Sequence, residues 1–492
     1  PFETFLGFEG DKVPDIDLNF SGEYQPTAHK FCEELFGEGH VFRAGTISSY
    51  KDKTAYGAVM KYFDNKGEKR RNAEVNRLVL GCSGTKTTTG QHPGGIVVVP
   101  RTREVFEFTP LQHPADKSDS GVITTHFDFR SMHDTLVKLD ILGHDDPTAI
   151  RMLQDITGIG PKTIPQEHQT DLSLFSSTEA LGVDPKELRT PVGTYGIPEF
   201  GTNFVRNMLV ETRPTRMDEL VRISGLSHGT DVWNNNAQTL IEEGTATLST
   251  AICTRDDIMN FLILSGVDKK LAFTTMESVR KGKGLKPEME EGMRAVGIPQ
   301  WYIDSCWKIK YMFPRAHAAA YVMMAFRIAY FKVYYPAAFY ATYFTVRADT
   351  FDLQNSTGGA KEVAKRLNDY EKRFKELSAV EKDQITILEL VLEMNLRGIE
   401  FLPIDINTSD AMRFLIVQKE GKEYLLPPFN ALGGMGEKAS RAIADARKEQ
   451  PFTTQEDIME RAHVGKSTLD LLKSAGCLET LPESNQVSLF SL

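Results

Sequence analysis

The chain has 492 residues, 41% of them apolar, and a formal net charge of −10 at pH 7, which suits roughly three to four folded domains and argues against a uniformly basic polyanion binder. Its five cysteines, Cys32, Cys82, Cys253, Cys306 and Cys477, are scattered and contain no C-x-x-C pair, so neither a disulfide framework nor a zinc site is expected and a reducing cytoplasm fits. Pro1-Phe2-Glu3-Thr4 is not a charged leader before an apolar run, and the most apolar stretch, 317–344, is broken by Arg327, Lys332 and Pro336, so neither secretion nor a membrane span is expected.

The first informative element is a short strand over 13–22. Asp15 and Asp17 share one face of it, and Ile16, Leu18 and Phe20 form a face it can bury. Neighbouring carboxylates repel unless a cation lies between them, and Mg2+ is the usual hard ion. Alternatively one Asp caps a turn and the other is solvated; the D-x-D spacing leaves both open. Residues 23–43 read as a helix with Phe31, Leu35 and Phe36 on its apolar side, ending near Gly37 and Gly39. Residues 44–63 read as a small helical insertion carrying Lys51, Lys53 and Lys61. Residues 81–95 read as a glycine- and hydroxyl-rich loop before the strand 96–99, able to bring N–H groups to a phosphate or to serve as an ordinary loop. A second acidic strand spans 136–143, with Val137, Leu139 and Ile141 opposite Lys138 and Asp140. Three acids from two strands could surround two metal ions, an arrangement that suits phosphoryl transfer; Asp140 alone equally fits a strand end.

Further on, Arg280-Lys281-Gly282-Lys283 is either a phosphate-approaching turn or a solvated helix end. Lys308, Lys310 and Arg315 precede an Ala-rich helix expected to begin after His317, where cations and free N–H groups coincide. Tyr311 offers a ring for base stacking. Phe326, Tyr330 and Tyr334 recur at helical spacing and read as core. Arg255 is a weaker triphosphate candidate, and His228 lines a pocket or stabilises a turn. Gly158-Ile159-Gly160 reads as a plain turn, because Pro165 leaves little room for a second helix. Gly434-Met435-Gly436-Glu437-Lys438 before a helix over 439–447 reads as a helix-hairpin-helix, with a degenerate partner around Val464-Gly465-Lys466. Residues 354–361 read as a loose loop.

The runs PDIDLNFSGEYQ, AGTISSYKDKTAYG, TTTGQHPGGIVVVP, THFDF, LVKLDILGHDDPT, ISGLSHGTDVW, ESVRKGKGL and KIKYMFPRAHAAAYV occur in this order. Across nearly its whole length the chain resembles the bacterial replicative DNA polymerase III alpha subunit of the PolC type. The resemblance implies an α+β multidomain fold: part of a polymerase-beta-like nucleotidyltransferase palm (1–45 and 97–148), a mainly helical thumb (46–96) and fingers (149–345). It also implies a duplex-binding region (346–483) with a helix-hairpin-helix near 424–480, and a tail at 484–492. The implied reaction is template-directed addition of dNTPs to a primer 3′ end by two-metal-ion nucleotidyl transfer in chromosome replication. Carried over by motif, Asp15, Asp17 and Asp140 are catalytic carboxylates for two Mg2+ ions, with Mn2+ as a substitute. Arg255, Arg280, Lys281, Lys283, Tyr311, Arg315 and His317 become nucleotide-binding, Arg315 standing where the family more often has lysine. Gly434, Gly436, Lys438 and Lys466 become DNA-binding. Gln486, Leu489 and Phe490, in Q-x-S-L-F, are similar to the sliding-clamp-binding peptide.

Implied partners are primer–template DNA, dNTP and the clamp, in a bacterial cytoplasm and without a membrane. Family members carry exonuclease, PHP and further palm elements upstream, so an N-terminal polymerase portion is also expected as a partner, and the chain alone is not expected to be active. Two other classes fit parts of the sequence. The three acids alone suit a metal-dependent nuclease or other phosphotransferase, and the C-terminal region alone suits a non-catalytic DNA-binding and clamp-tethering subunit.

Overall fold

The structure, a computed structural model, describes residues 3–10, 16–116, 118–132, 135–166 and 169–484. It divides into two units, Pro1–Thr148 and Ala149–Leu492.

The first unit is built on a sheet of β1 (Ile16–Ser21), β2 (Val41–Ser49), β3 (Lys86–Val98), β4 (Leu111–Gln112), β5 (Thr124–Asp128) and β6 (Val137–His144), in the order β1-β6-β3-β2-β5-β4. Strand β6 follows its alternation at Leu139 and Ile141, whereas Val137, expected on the same buried face, is exposed at the start of the strand. Leu139 and Ile141 are buried with Ile96 of β3 and with Ala28 and Cys32 of the helix Gln25–Phe36, which leaves Lys138 and Asp140 on the opposite face. Strand β1 departs from expectation, for Ile16 and Leu18 are exposed. Among the described residues it pairs with β6 alone and lies at the end of the sheet, so its apolar face gains little cover.

Three local readings are corrected. The helix Gln25–Phe36 buries Ala28, His29 and Cys32, while Phe31 and Leu35 are exposed; it ends against Gly37 at φ 112, and β2 begins at Val41. Residues 41–49 are strand, and the helical insertion is the hairpin Asp52–Lys66 and Asn72–Cys82, closed by its own core of Ala55, Val59, Phe63, Val75 and Val79. Residues 86–95 are the first part of β3 rather than a loop. Their pairing with β2 jumps from Gly45↔Gln91 to Arg43↔Ile96, so 92–95 bulge away from β2 while Gly95 still pairs with Asp140 of β6.

The second unit is mainly helical around one large apolar core. At its centre the helix Arg315–Tyr334 buries Ala318, Val322, Ala325, Phe326, Ala329 and Phe331. This helix starts earlier than the sequence suggested, at Arg315 instead of after His317. Pro314 occupies its N-cap, and the Asp256 carboxylate accepts the Arg315 N–H at 2.6 Å. Tyr330 is partly buried and Tyr334 exposed, so of the three spaced aromatics only Phe326 is full core. Lys332 interrupts the apolar stretch in sequence but is fully buried. Its ammonium donates to the Gly193 and Tyr195 carbonyls at 2.7 and 2.6 Å and to Glu393 at 2.9 Å. Among the described residues no helix is long and apolar enough to cross a membrane.

Gly158 ends the helix Asp145–Thr157 at φ 75, and residues 158–160 run without regular structure into the short 3-10 helix Pro161–Thr163. Residues expected to be loose are partly ordered: Asp352 caps the helical turn Leu353–Ser356, and the helix Gly359–Lys372 follows. Strands β7 (Glu400–Phe401), β8 (Leu415–Lys419) and β9 (Lys422–Leu426), ordered β7-β9-β8, form a small sheet that the sequence reading missed. Beyond it the helices Glu437–Glu449, Gln455–Ala462 and Lys466–Ser474 close a second core containing Phe429, Leu432, Met435, Ile443, Ile458 and Leu472.

Candidate active site

The carboxylate site grows from the register of β1 and β6. These strands run parallel with Asp17 paired to Asp140, which puts both carboxylates on one face, as neighbours across the ladder. Lys138, two residues before Asp140 on the same face, donates from Nζ to Asp140 Oδ2 at 2.8 Å. Asp140 Oδ1 is buried and has no hydrogen-bond partner among the described residues.

The β3 bulge supplies the fourth group. His92 folds back so that Nδ1 accepts the Gly95 N–H at 2.7 Å and the Gly94 N–H at 3.3 Å, and the same nitrogen lies 3.6 Å from Asp140 Oδ1. Glycine at 95 permits this close approach, since a Cβ there would lie 2.7 Å from both His92 Nδ1 and Lys138 Cε and would displace these side chains. Gln25 anchors the bulge from the helix side, donating to the Ile141 carbonyl at 2.7 Å and the Pro93 carbonyl at 3.0 Å. Burial, then the Lys138 ammonium, push the His92 pKa below the usual histidine value, so the ring is neutral at pH 7. Neither His92 nor Lys138 was assigned a role from sequence. The available signal was a histidine directly before Pro-Gly-Gly, where two small residues permit close approach.

Asp15 lies outside the described residues, and among those residues no group of three His, Cys, Asp or Glu side chains is arranged to hold a metal. The two acids that are described fit a hard divalent ion. They offer oxygen donors on one face, and the unbonded, buried Oδ1 is a costly group that a cation would satisfy.

In the second unit the segment 310–317 gathers most of the remaining candidates. The Arg280–Lys283 turn follows the helix Lys269–Arg280 and packs on this segment: the Arg280 carbonyl accepts the Met312 N–H at 3.2 Å, and a Cβ at Gly282 would meet the Lys310 carbonyl at 2.4 Å. Arg255, at the start of the helix Arg255–Leu264, donates its N–H to the Phe313 carbonyl at 3.1 Å, and its side chain is buried. Tyr311 is exposed and edge-on to Phe313, their ring centroids 5.1 Å apart. His317 stacks on Phe313 at 4.8 Å and meets Tyr321 at 4.6 Å.

The cations here are largely compensated from within. Arg280 and Lys281 both pair with Glu277, at 2.9 and 3.0 Å, Arg315 reaches Asp257 at 3.9 Å, and Lys283 is exposed. The helix start after Pro314 is therefore not an open anion site, because Asp256 already takes the Arg315 N–H. A triphosphate using these cations must compete with Glu277 and Asp257. His228 joins the ring cluster, 5.5 Å from Phe313 and 5.8 Å from His317, and its Nε2 is in close ion-pair contact with Glu199.

Gly434 and Gly436 lead into the helix Glu437–Glu449 with Gly436 at its N-cap, and Gly465 caps Lys466–Ser474 in the same way. Lys438 and Lys466 stand exposed in the first turns of these helices. Gln486, Leu489 and Phe490 lie outside the described residues.

Three family models match the chain: the bacterial DNA polymerase III alpha NTPase domain over residues 1–73 and 65–143, the bacterial DNA polymerase III alpha subunit finger domain over 146–297, and a helix-hairpin-helix motif over 398–487. Among curated proteins, the chain is similar over all of its length to DNA polymerase III PolC-type from Caldanaerobacter subterraneus subsp. tengcongensis (60% identity, 35% of that protein) and from Thermotoga maritima (56%, 36% of that protein). A third relative of the same name, from Listeria monocytogenes, is 56% identical, and the chain covers 34% of it. The chain thus spans about a third of the length of the curated relatives it matches.

Proposed function

This chain belongs to the bacterial DNA polymerase III alpha family, and we propose that it carries template-directed DNA synthesis, adding dNTPs to a primer 3′ end during chromosome replication. The observation that carries the reading is the register pairing of Asp17 with Asp140 beside a basic residue and a neutral histidine, in a chain 60% identical to a PolC-type polymerase.

In this reading Asp15, Asp17 and Asp140 would hold two Mg2+ ions, with Mn2+ as a substitute. When bound, such ions lower the pKa of an attacking hydroxyl and offset charge on the triphosphate and its leaving group. The chain's own residues do the positioning. Lys138 fixes the Asp140 carboxylate, His92 and Gly95 fix the backbone beside it, and Gln25 ties that bulge to the sheet. In the second unit, Tyr311 and His317 offer the rings against which the incoming base pair packs, while Arg255, Arg280, Lys281, Lys283 and Arg315 serve the triphosphate.

The palm, thumb, fingers and duplex-binding boundaries given above are part of the proposal. So are duplex-backbone binding by Gly434, Gly436, Lys438 and Lys466, clamp binding through Gln486, Leu489 and Phe490, and action in the bacterial cytoplasm. The exposed Ile16 and Leu18 on edge strand β1 support one more element, an N-terminal polymerase portion that covers this edge.

The test is primer extension with Mg2+ by this chain combined with the N-terminal portion of a PolC-type relative. The expected result is template-directed incorporation that Asp17→Asn abolishes while duplex binding persists. Release of nucleotides instead of dNTP consumption, or extension that survives Asp17→Asn, overturns the reading.

A further inference from the structure

Outside the carboxylate site, one mostly buried polar contact that the proposed mechanism does not use is Glu199 with His228. Glu199 has φ 69, a left-handed conformation that costs a side-chain-bearing residue about 1–2 kcal/mol relative to glycine. The neighbouring Gly196 and Gly201 show that this loop has glycines at other positions, yet a carboxylate stands at 199. That carboxylate is mostly buried, and its Oε2 lies in ion-pair contact with His228 Nε2 while having no hydrogen-bond partner among the described residues. The other ring nitrogen, Nδ1, is buried without a hydrogen-bond partner among the described residues, so Glu199 is the polar restraint the structure gives this ring. The ring abuts Phe313 and His317 edge-on, and Phe313 in turn abuts Tyr311. Two residues further on, the Thr230 carbonyl accepts the Lys310 N–H at 3.0 Å and the Thr230 N–H donates to the Tyr311 carbonyl at 3.0 Å, tying the backbone after His228 to the same segment.

We propose that Glu199 is a positioning residue for nucleotide binding: it fixes the His228 ring, which with Phe313 holds His317 and Tyr311 in the orientation that receives the incoming dNTP. The inference rests on the nucleotide pocket read above. It explains why a strained backbone position retains a long acidic side chain, since glycine would relieve the strain but lose the restraint.

The experiment measures equilibrium binding of a fluorescent dNTP, with Mg2+, to the full chain combined with the N-terminal portion of a PolC-type relative on a primer–template, for wild type, His317→Ala, Glu199→Gly and Glu199→Gln, with the melting temperature of each. Glu199→Gly should weaken dNTP binding roughly ten-fold without lowering the melting temperature, whereas Glu199→Gln, which keeps an acceptor oxygen, should recover most of that loss. A merely structural role would move the melting temperature and leave the dNTP Kd in place, which overturns the inference. Weakened binding in His317→Ala with wild-type binding in Glu199→Gly overturns the inference alone. Absence of dNTP binding in wild type, or unchanged binding in His317→Ala, overturns the nucleotide pocket and the inference with it.

Discussion

Lys138 Nζ lies 2.8 Å from Asp140 Oδ2, and both side chains are mostly buried. One oxygen of the carboxylate is thereby committed to an ammonium while the other, Oδ1, stays unbonded. Asp17 stands next to Asp140 in the ladder, and this ammonium offsets part of the repulsion between the two like charges. Lys138→Met should therefore destabilise the chain by roughly 1 kcal/mol in EDTA, and added Mg2+ should recover more stability than it adds to wild type. Thermal melting with and without Mg2+ checks this; equal melting in EDTA for variant and wild type would remove the compensating role.

The histidines of the first unit give a pH signature. Burial holds the pKa of His29 and His92 below the usual 6.5, helped by Arg43 and Lys138 respectively. Between that value and the lower native pKa, the unfolded chain binds protons that the native chain does not, so stability falls as pH drops below about 6.5. Urea unfolding at pH 7.5, 6.5 and 5.5 should show this loss, and His92→Asn should make the decline shallower. An identical slope in the variant would mean that His92 does not contribute.

How far the sequence was readable depended on whether a segment's partners were local. Strand β6 was legible because Leu139 and Ile141 bury on one face, so period-two alternation survives in the fold. Strand β3 was not, because Gln91-His92-Pro93-Gly94-Gly95 has the composition of a loop, and pairing with β2 at Gln91 and with β6 at Gly95 keeps it in the sheet. The start of Arg315–Tyr334 was misplaced because its capping acceptor, Asp256, lies 59 residues away in sequence. Of the candidate site, the acids Asp17 and Asp140 were readable from alternation, but His92 reaches Asp140 only through the bulge, which no spacing rule reveals.

Lys332 and Glu393 form a fully buried pair, with Tyr340 donating to Glu393 at 2.7 Å and Arg397 to Tyr340 at 3.1 Å. Desolvation, opposed by Glu393, pushes the Lys332 pKa down to about 8. Removing one partner strands a buried charge, so Glu393→Leu should cost about 3–5 kcal/mol, whereas Lys332→Met combined with Glu393→Leu should recover a large part of it. Denaturant unfolding of both single variants and the double measures the coupling. Additive losses in the double variant would contradict the pairing as the source of stability.

Lys438 and Lys466 occupy similar places: each stands exposed in the first turn of a helix whose N-cap is glycine, Lys438 two residues after Gly436 and Lys466 directly after Gly465. Backbone N–H groups and a lysine converge at both helix starts, which suits contact with two phosphates of a duplex. Each contact neutralised on binding releases about one counterion, so Lys438→Ala and Lys466→Ala should each reduce the slope of log K against log salt by about one. Binding should weaken to a similar degree on duplexes of unrelated sequence, because phosphates carry no sequence information. Fluorescence anisotropy across a salt series gives the slopes. A single variant that changes the slope while the other leaves it untouched would restrict the clamp to one hairpin, and wild-type slopes in both would move duplex binding away from this region altogether.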